Sequence, residues 1–226
     1  MSANKTKLVI FDFDGTLTKP HKLDNSWTRI WNKIGLTSEE ERLYHDHFKK
    51  GEISYQEWVG EVIKCFRAGG VNRSMIYSLA KETKLLDNCK KVFKTLYQHG
   101  IKICILSGGV KNIIDEKLKS MSKFITKIEA LSLTFDENGL INGAVLAETN
   151  TTNKSDFILK QMEKFNLKKE EVIFVGNSSN DEDASKSGVS TICINPLNTD
   201  FQNKAIWTQA IEKTDDPSSL LSYINF

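Results

Sequence analysis

Cysteine, proline and charge of one sign are all scarce in this chain. Four cysteines (Cys65, Cys89, Cys104, Cys193) are scattered over 226 residues with no C-x-x-C pair, which argues against both a disulfide framework and a zinc ribbon. Cys104 and Cys193 sit inside the apolar runs IKICIL and VSTICI, where a thiol serves as a small buried hydrophobe. With 3 prolines and 13 glycines there is no low-complexity tract, and no internal repeat is visible. The 31 Lys and Arg nearly cancel the 29 Asp and Glu, leaving +2, so the charge balance does not point to a nucleic-acid partner. No apolar run approaches the ~18 residues needed to span a bilayer, and the polar start MSANKTK with the short LVIF behind it does not make a signal peptide. The expectation is a reduced, soluble, cytoplasmic protein, monomer or homodimer, with a small-molecule ligand and neither nucleic acid nor membrane as partner.

What the chain does have is a core. Hydrophobic residues make up 39% and charged residues 27%, ample for one large domain or two unequal ones. Lys7 to Phe11 reads as a short buried strand that stops at the acidic turn Asp12-Phe13-Asp14-Gly15. About 60 residues of purely helical texture follow. Trp27, Ile30, Trp31 and Ile34 recur at helical spacing and Gly35 ends that run. Ser38 with Glu41, and Ser54 with Glu57, have capping-box spacing. From Asp87 onward strands alternate with helices: a helix from Cys89 to His99, a strand from Lys102 to Leu106, a helix from Val110 to Met121. A hairpin turn is expected at Phe135 to Gly139 between two edge strands. A helix at Phe157 to Phe165, a strand at Val172 to Val175, a short helix at Asp181 to Lys186, a strand at Val189 to Ile194 and a helix opened by Pro217 complete the series. This alternation implies an α/β fold with a doubly wound parallel sheet, and the helical block reads as an insertion at its edge. In such folds ligands bind at the carboxyl ends of the strands.

Four loops stand at such places. FDFDGTL, residues 11–17, puts Asp12 and Asp14 at i and i+2 as the chain leaves a buried strand, a spacing suited to cation binding and to divided acid and nucleophile roles. Ser107-Gly108-Gly109 offers a hydroxyl and free N–H groups before a helix, an anion-binding arrangement. Lys154 opens a helix after Asn150-Thr151-Thr152-Asn153. VGNSSND, residues 175–181, places Asn177, Asn180 and Asp181 at a strand end.

Together and in this order the four loops resemble the haloacid dehalogenase superfamily of aspartate-nucleophile phosphohydrolases, over nearly the whole chain. The helical insertion, with GEISYQEW, and the stretch KSDFILKQMEKFNLKKEEVIFVGNSSNDEDASKSG are similar to the phosphoserine-phosphatase-like branch. The resemblance implies a Rossmann-like core at 1–18 and 85–226 with a cap at 19–84. It implies Asp12 as nucleophile and Asp14 as general acid and base. Ser107, Gly108, Lys154 and Asn180 would hold the phosphate, and Mg²⁺ would sit on Asp12, Asp14, Asn177 and Asp181. The substrate would be a small phosphate ester. Phosphotransfer to an organic acceptor, or phosphate sensing without turnover, are the alternatives on the same scaffold.

Two positions depart from the pattern. The fourth motif usually begins Gly-Asp, and here the second position is Asn177, which keeps an oxygen donor and loses a charge. The acid and the cap arginine that grip phosphoserine have no evident counterpart: the corresponding segments read Lys19-Pro20-His21-Lys22 and Trp58-Val59-Gly60-Glu61-Val62. Asp24 is the nearest acid. His45-Asp46-His47 does not form a metal pair, because i and i+2 do not share a helix face.

Overall fold

A computed structural model describes residues 5–19, 25–148, 153–196, 206–212 and 214–226. Its organising element is β1 (Leu8–Phe11), whose four residues are all buried. A strand covered on both faces has no reason to alternate, hence the unbroken LVIF. It pairs in parallel with β2 (Lys102–Val110) on one side and with β5 (Val172–Gly176) on the other. The sheet has seven strands in the order β4-β3-β2-β1-β5-β6-β7, with β3 at Lys127–Phe135, β4 at Ile141–Val145, β6 at Ser190–Ile194 and β7 at Gln209–Ile211. All neighbours run parallel except β3 and β4. The chain winds outward to β2 and β3 on one side of β1 and to β5 and β6 on the other. The crevice beside β1 is therefore the switch point where such sheets bind ligands.

Four helices follow β1: α1 (Ser26–Lys33), α2 (Ser38–Lys49), α3 (Tyr55–Ala68) and α4 (Arg73–Glu82). Trp27, Trp31, Trp58 and Phe66 form their apolar centre, continued by Ile113 and by Leu131 and Leu133 of β3 and Ile141 of β4. The chain enters and leaves this block side by side, with Leu86 N–H donating to Leu17 at 2.8 Å and Lys19 N–H to Lys84 at 2.9 Å. Helices α5 (Cys89–Gln98), α6 (Lys111–Leu118) and α7 (Lys154–Phe165) flank the sheet.

Several boundaries differ from the sequence reading, each for a local reason. The capping box of α2 forms between Thr37 and Glu40, one residue before Ser38 and Glu41; T-S-E-E-E satisfies the spacing in both frames. The box at Ser54 and Glu57 is as expected. Strand β2 does not stop at Leu106. It continues to Val110 through a bulge, four residues of β2 against two of β3, since Leu106 pairs with Glu129 and Val110 with Leu131. Two glycines tolerate the irregular path. Helix α6 consequently starts at Lys111, uncapped by any side chain, and passes into a 3₁₀ turn at Lys119–Phe124. Of the two strands flanking the turn at 135–139, only β4 is an edge, because β3 also pairs with β2. The segments expected to be short helices near Asp181 and Pro217 are 3₁₀ turns, Ser179–Ser187 and Pro217–Tyr223. Strand β7, three residues long, went unread.

Candidate active site

At the carboxyl end of β1 the backbone keeps its place in the sheet for one more residue. Asp12 N–H donates to the Val175 carbonyl at 2.8 Å, which fixes Asp12 beside the exit of β5. The residue is only 7% exposed. Lys154, the first residue of α7, reaches across and donates from Nζ to Asp12 Oδ1 at 3.1 Å. The same ammonium pairs with Asp181 Oδ1. Burial pushes the Asp12 carboxyl up to about 7; the charges of Asp181 and Asp14 act in the same sense, and Lys154 opposes them. Burial also disfavours a charged Lys154, but the two carboxylates outweigh it and hold its pKa above the ordinary value.

Asp181 has a second task. Its Oδ2 accepts the N–H groups of Asn177 at 2.8 Å and Ser178 at 3.1 Å, which shapes the loop after β5. Lys154 is in turn placed by its neighbour: Ser155 donates to Asp183 Oδ2 from its N–H at 3.0 Å and from Oγ at 2.9 Å, tying the start of α7 to the 3₁₀ turn at 179–187. Asn177 is buried, and its Oδ1 accepts from Thr16 Oγ1 at 3.3 Å. Its Nδ2 has no hydrogen-bond partner. Gly15 makes room for this amide. Its φ is +76°, and a Cβ there would lie 2.2 Å from Asn177 Nδ2.

Asp14 is half-buried and turns toward the helical block. Its Oδ2 accepts the N–H of Ser26 at 3.0 Å and the Ser26 hydroxyl at 2.7 Å. Ser107, on the bulge of β2, is buried, and its Oγ accepts the Gly109 N–H at 3.1 Å. Gly108 is exposed, and its carbonyl accepts from Trp27 Nε1 at 2.8 Å. Of the expected residues, Asp12, Lys154 and Asp181 are joined by direct contacts, and Asn177, Asp14 and Ser107 border them through the loops just described. Asn180 is not brought in: it is exposed on the 3₁₀ turn. Lys19 faces Asp87 and Asp215 at 3.4 and 3.8 Å. Pro20, His21, Lys22 and Asp24 lie outside the described residues. Ser26, Trp27, Ser155 and Asp183 went unread as site residues, since nothing in their spacing marks them as such.

A model of the haloacid dehalogenase-like hydrolases matches residues 6–188. The chain belongs to that family. Similar proteins include the phosphoserine phosphatase of Archaeoglobus fulgidus, 24% identical over 77% of this chain and 48% of that one. Another is the 7-methylguanosine phosphate-specific 5′-nucleotidase A of Xenopus laevis, 26% identical over 81% of this chain and 71% of its own. The chain thus spans about half the length of the archaeal relative and more of the nucleotidase. In three dimensions it is similar to a structure described as a phospho-aspartyl intermediate analogue of phosphoserine phosphatase, with TM-score 0.75, 20% identity and coverage of 98% and 100%. This haloacid dehalogenase-like hydrolase therefore shares its fold with phosphatase structures, and its relatives are by name phosphatases and nucleotidases. Among the described residues no helix is long and apolar enough to cross a membrane, and no three His, Cys, Asp or Glu side chains gather as a ready cation cage.

Proposed function

We propose that this hydrolase cleaves a small phosphate monoester through a phospho-enzyme formed on Asp12, with Mg²⁺ as cofactor. The observation that supports this most is the buried Asp12 held by Lys154. A nucleophile in a dry, pre-ordered site needs its charge offset before a dianionic phosphate arrives, and Lys154 supplies that. In the first step an Asp12 oxygen attacks phosphorus, the P–O bond to the leaving group breaks, and Asp14 gives its proton to the departing oxygen. In the second step Asp14 takes a proton from water, the water oxygen attacks the Asp12-bound phosphorus, and the acyl-phosphate bond breaks to free inorganic phosphate. Ser107 and the backbone beside it face the phosphate oxygens. The segment at 19–84 would act as the cap over this site.

The residues present fit a hard divalent cation. Asp12 and Asn177 offer carboxylate and amide oxygens, the donor type Mg²⁺ takes. Asn177 is a buried amide that the fold scarcely uses for itself, with its Nδ2 unpaired. Asp12, Asn177 and the Asp14 backbone carbonyl would hold the ion, which when bound supplies positive charge to the phosphate oxygens. Asp181 was expected among the ligands. We assign it instead to positioning, because Oδ1 is committed to Lys154 and Oδ2 to two backbone N–H groups.

The substrate class stays a small phosphate ester. The segment 58–62 turns Trp58, Val59 and Val62 into the apolar centre of the helical block and leaves no arginine to meet a carboxylate. The experiment is phosphate release from a panel of phosphomonoesters, with Mg²⁺, with chelator, and with Asp12→Asn as blank. Release that needs the cation and vanishes in the variant upholds the proposal; release unaffected by Asp12→Asn would remove Asp12 as nucleophile.

A further inference from the structure

One residue of the helical block makes a direct bond with the proposed chemistry. Ser26 is the first residue of α1, 1% exposed, and spends both its donors on one oxygen of Asp14. The capping of α1 does not require this. Asn25 already takes the N–H groups of Trp27 and Thr28 at 2.9 Å each. The second contact of the same helix, Trp27 Nε1 to the Gly108 carbonyl, lands on the bulge of β2. The bulge is shaped to admit this meeting. A Cβ at Gly109 would lie 2.7 Å from Asp14 Oδ2, 2.9 Å from Ser26 Oγ and 3.3 Å from Ser107 Oγ. Asp14, Ser26, Ser107 and Gly109 thus converge on one point, where the helical block rests on the sheet.

We propose that Ser26 is a positioning residue for Asp14, and that it ties proton delivery to the seating of α1. An acid that must reach a leaving oxygen needs a fixed rotamer, and two donors from Ser26 on one carboxylate oxygen fix it. The hydroxyl belongs to α1, so the orientation exists only while that helix sits over the site. A substrate that lifted the helix would find the nucleophile in place and the acid untethered. The inference rests on Asp14 being the acid of the proposed reaction.

The test uses two esters and the Mg²⁺-loaded enzyme. With p-nitrophenyl phosphate the leaving group departs as an anion and needs no proton. With the alkyl phosphate that the wild-type enzyme hydrolyses fastest, protonation is required. Ser26→Ala should lower kcat on the alkyl ester about tenfold, the worth of a hydrogen bond to a charged group, and on the aryl ester by less than about threefold. Gly109→Ala, which drives a methyl against both Asp14 Oδ2 and Ser26 Oγ, should reproduce that split. Asn25→Ala removes the cap on the Trp27 and Thr28 N–H groups while both Ser26 donors stay on Asp14, and its effect should fall equally on both esters. Equal losses in Ser26→Ala, no loss, or the same split in Asn25→Ala would each overturn the positioning role. Asp14→Asn separates the two levels. If it shows no dependence on the leaving group, the acid assignment itself fails. If it shows a strong one while Ser26→Ala shows none, only the inference about Ser26 fails.

Discussion

The floor and the roof of the site are built on opposite principles. The floor is ionic. Asp12, Lys154 and Asp181 are 7%, 2% and 1% exposed and come from three separate stretches of chain. One ammonium is shared by two carboxylates, so their charges are partly offset before any ligand enters. The roof is neutral: a serine hydroxyl, an indole N–H and a backbone amide of α1 touch Asp14 and Gly108. Buried charges cannot be altered one at a time, since each leaves a partner unpaired in a medium of low polarity. A neutral donor can be removed without leaving an opposite charge stranded. The floor is thus a unit that tolerates no single change, and the roof a set of contacts that can be altered singly.

The sharpest way to break this contrast is Lys154→Met. It should cost the fold about 3–5 kcal/mol, the penalty of stranding buried carboxylates, and slow turnover by about a hundredfold or more. Chemical denaturation and phosphate release measure the two. Adding Asp181→Asn to the same chain removes one stranded charge, so part of the stability should return while the rate does not. If the single variant melted like the wild type, the floor would not be a charge-coupled unit.

A second test follows from Asp12, whose carboxyl stands at about 7 against an ordinary 3.8. Between those pH values the folded, metal-free protein keeps a proton that the unfolded chain has released, so this residue's contribution to stability is full below about pH 4 and is lost as pH rises to about 7. Mg²⁺ must displace that proton below pH 7. Its apparent affinity should therefore fall about tenfold for each unit of acidification, a one-proton slope. Calorimetric titration of metal into the protein at pH 5, 6, 7 and 8 reads it directly, and a flat series across the acid half would detach the cation from Asp12.

Asn177→Asp should sharpen the same comparison with a smaller effect. A carboxylate here adds charge to the cation site and should lower the Mg²⁺ activation midpoint by about fivefold. The same charge faces Asp12 and Asp181 in the metal-free protein, so the apo form should melt a few degrees lower, about 1 kcal/mol in a domain of this size. An unchanged midpoint would place residue 177 outside the cation's reach.

How much of this was written in the chain follows from what each feature depends on. The sheet was legible because buried parallel strands advertise themselves as unbroken runs: LVIF, IKICIL, VIFV. Asp12 was legible from the paired carboxylates at a strand end, and Lys154 and Asp181 only through the order of the four loops and the family it resembles. Ser26 was not. It meets Asp14 only because the helical block folds back over β1, and the eleven intervening residues carry no period that encodes such a contact. The bulge at Ser107-Gly108-Gly109 also escaped. Glycines after a strand read as a helix start, and only the pairing with β3 keeps them extended. The same loss of local information explains Asn180, which shares a loop with Asp181 yet points away into solvent: a 3₁₀ turn rotates neighbours by about 120°, so adjacent residues do not share a destination.

The roof supplies the smallest and most specific prediction. Trp27 has two connections, its ring against Trp58 and Phe66, with centroids at 5.4 and 6.0 Å, and its Nε1 on the Gly108 carbonyl. Trp27→Phe keeps an aromatic ring in the cluster and deletes the hydrogen bond, at a stability cost of about 1 kcal/mol. In a floor residue such a change would strand a charge and stop turnover. In the roof it releases one neutral carbonyl at an exposed glycine, where water replaces the indole. The expected result is a KM raised a few-fold with kcat little changed, because the variant frees only the Gly108 carbonyl and leaves Asp12, Lys154, Asp181 and the two bonds from Ser26 to Asp14 untouched. Steady-state kinetics on the best ester of the panel would show it. A collapse of kcat instead would mean that the roof takes part in the ionic chemistry below it, and the division between the two layers would have to be abandoned.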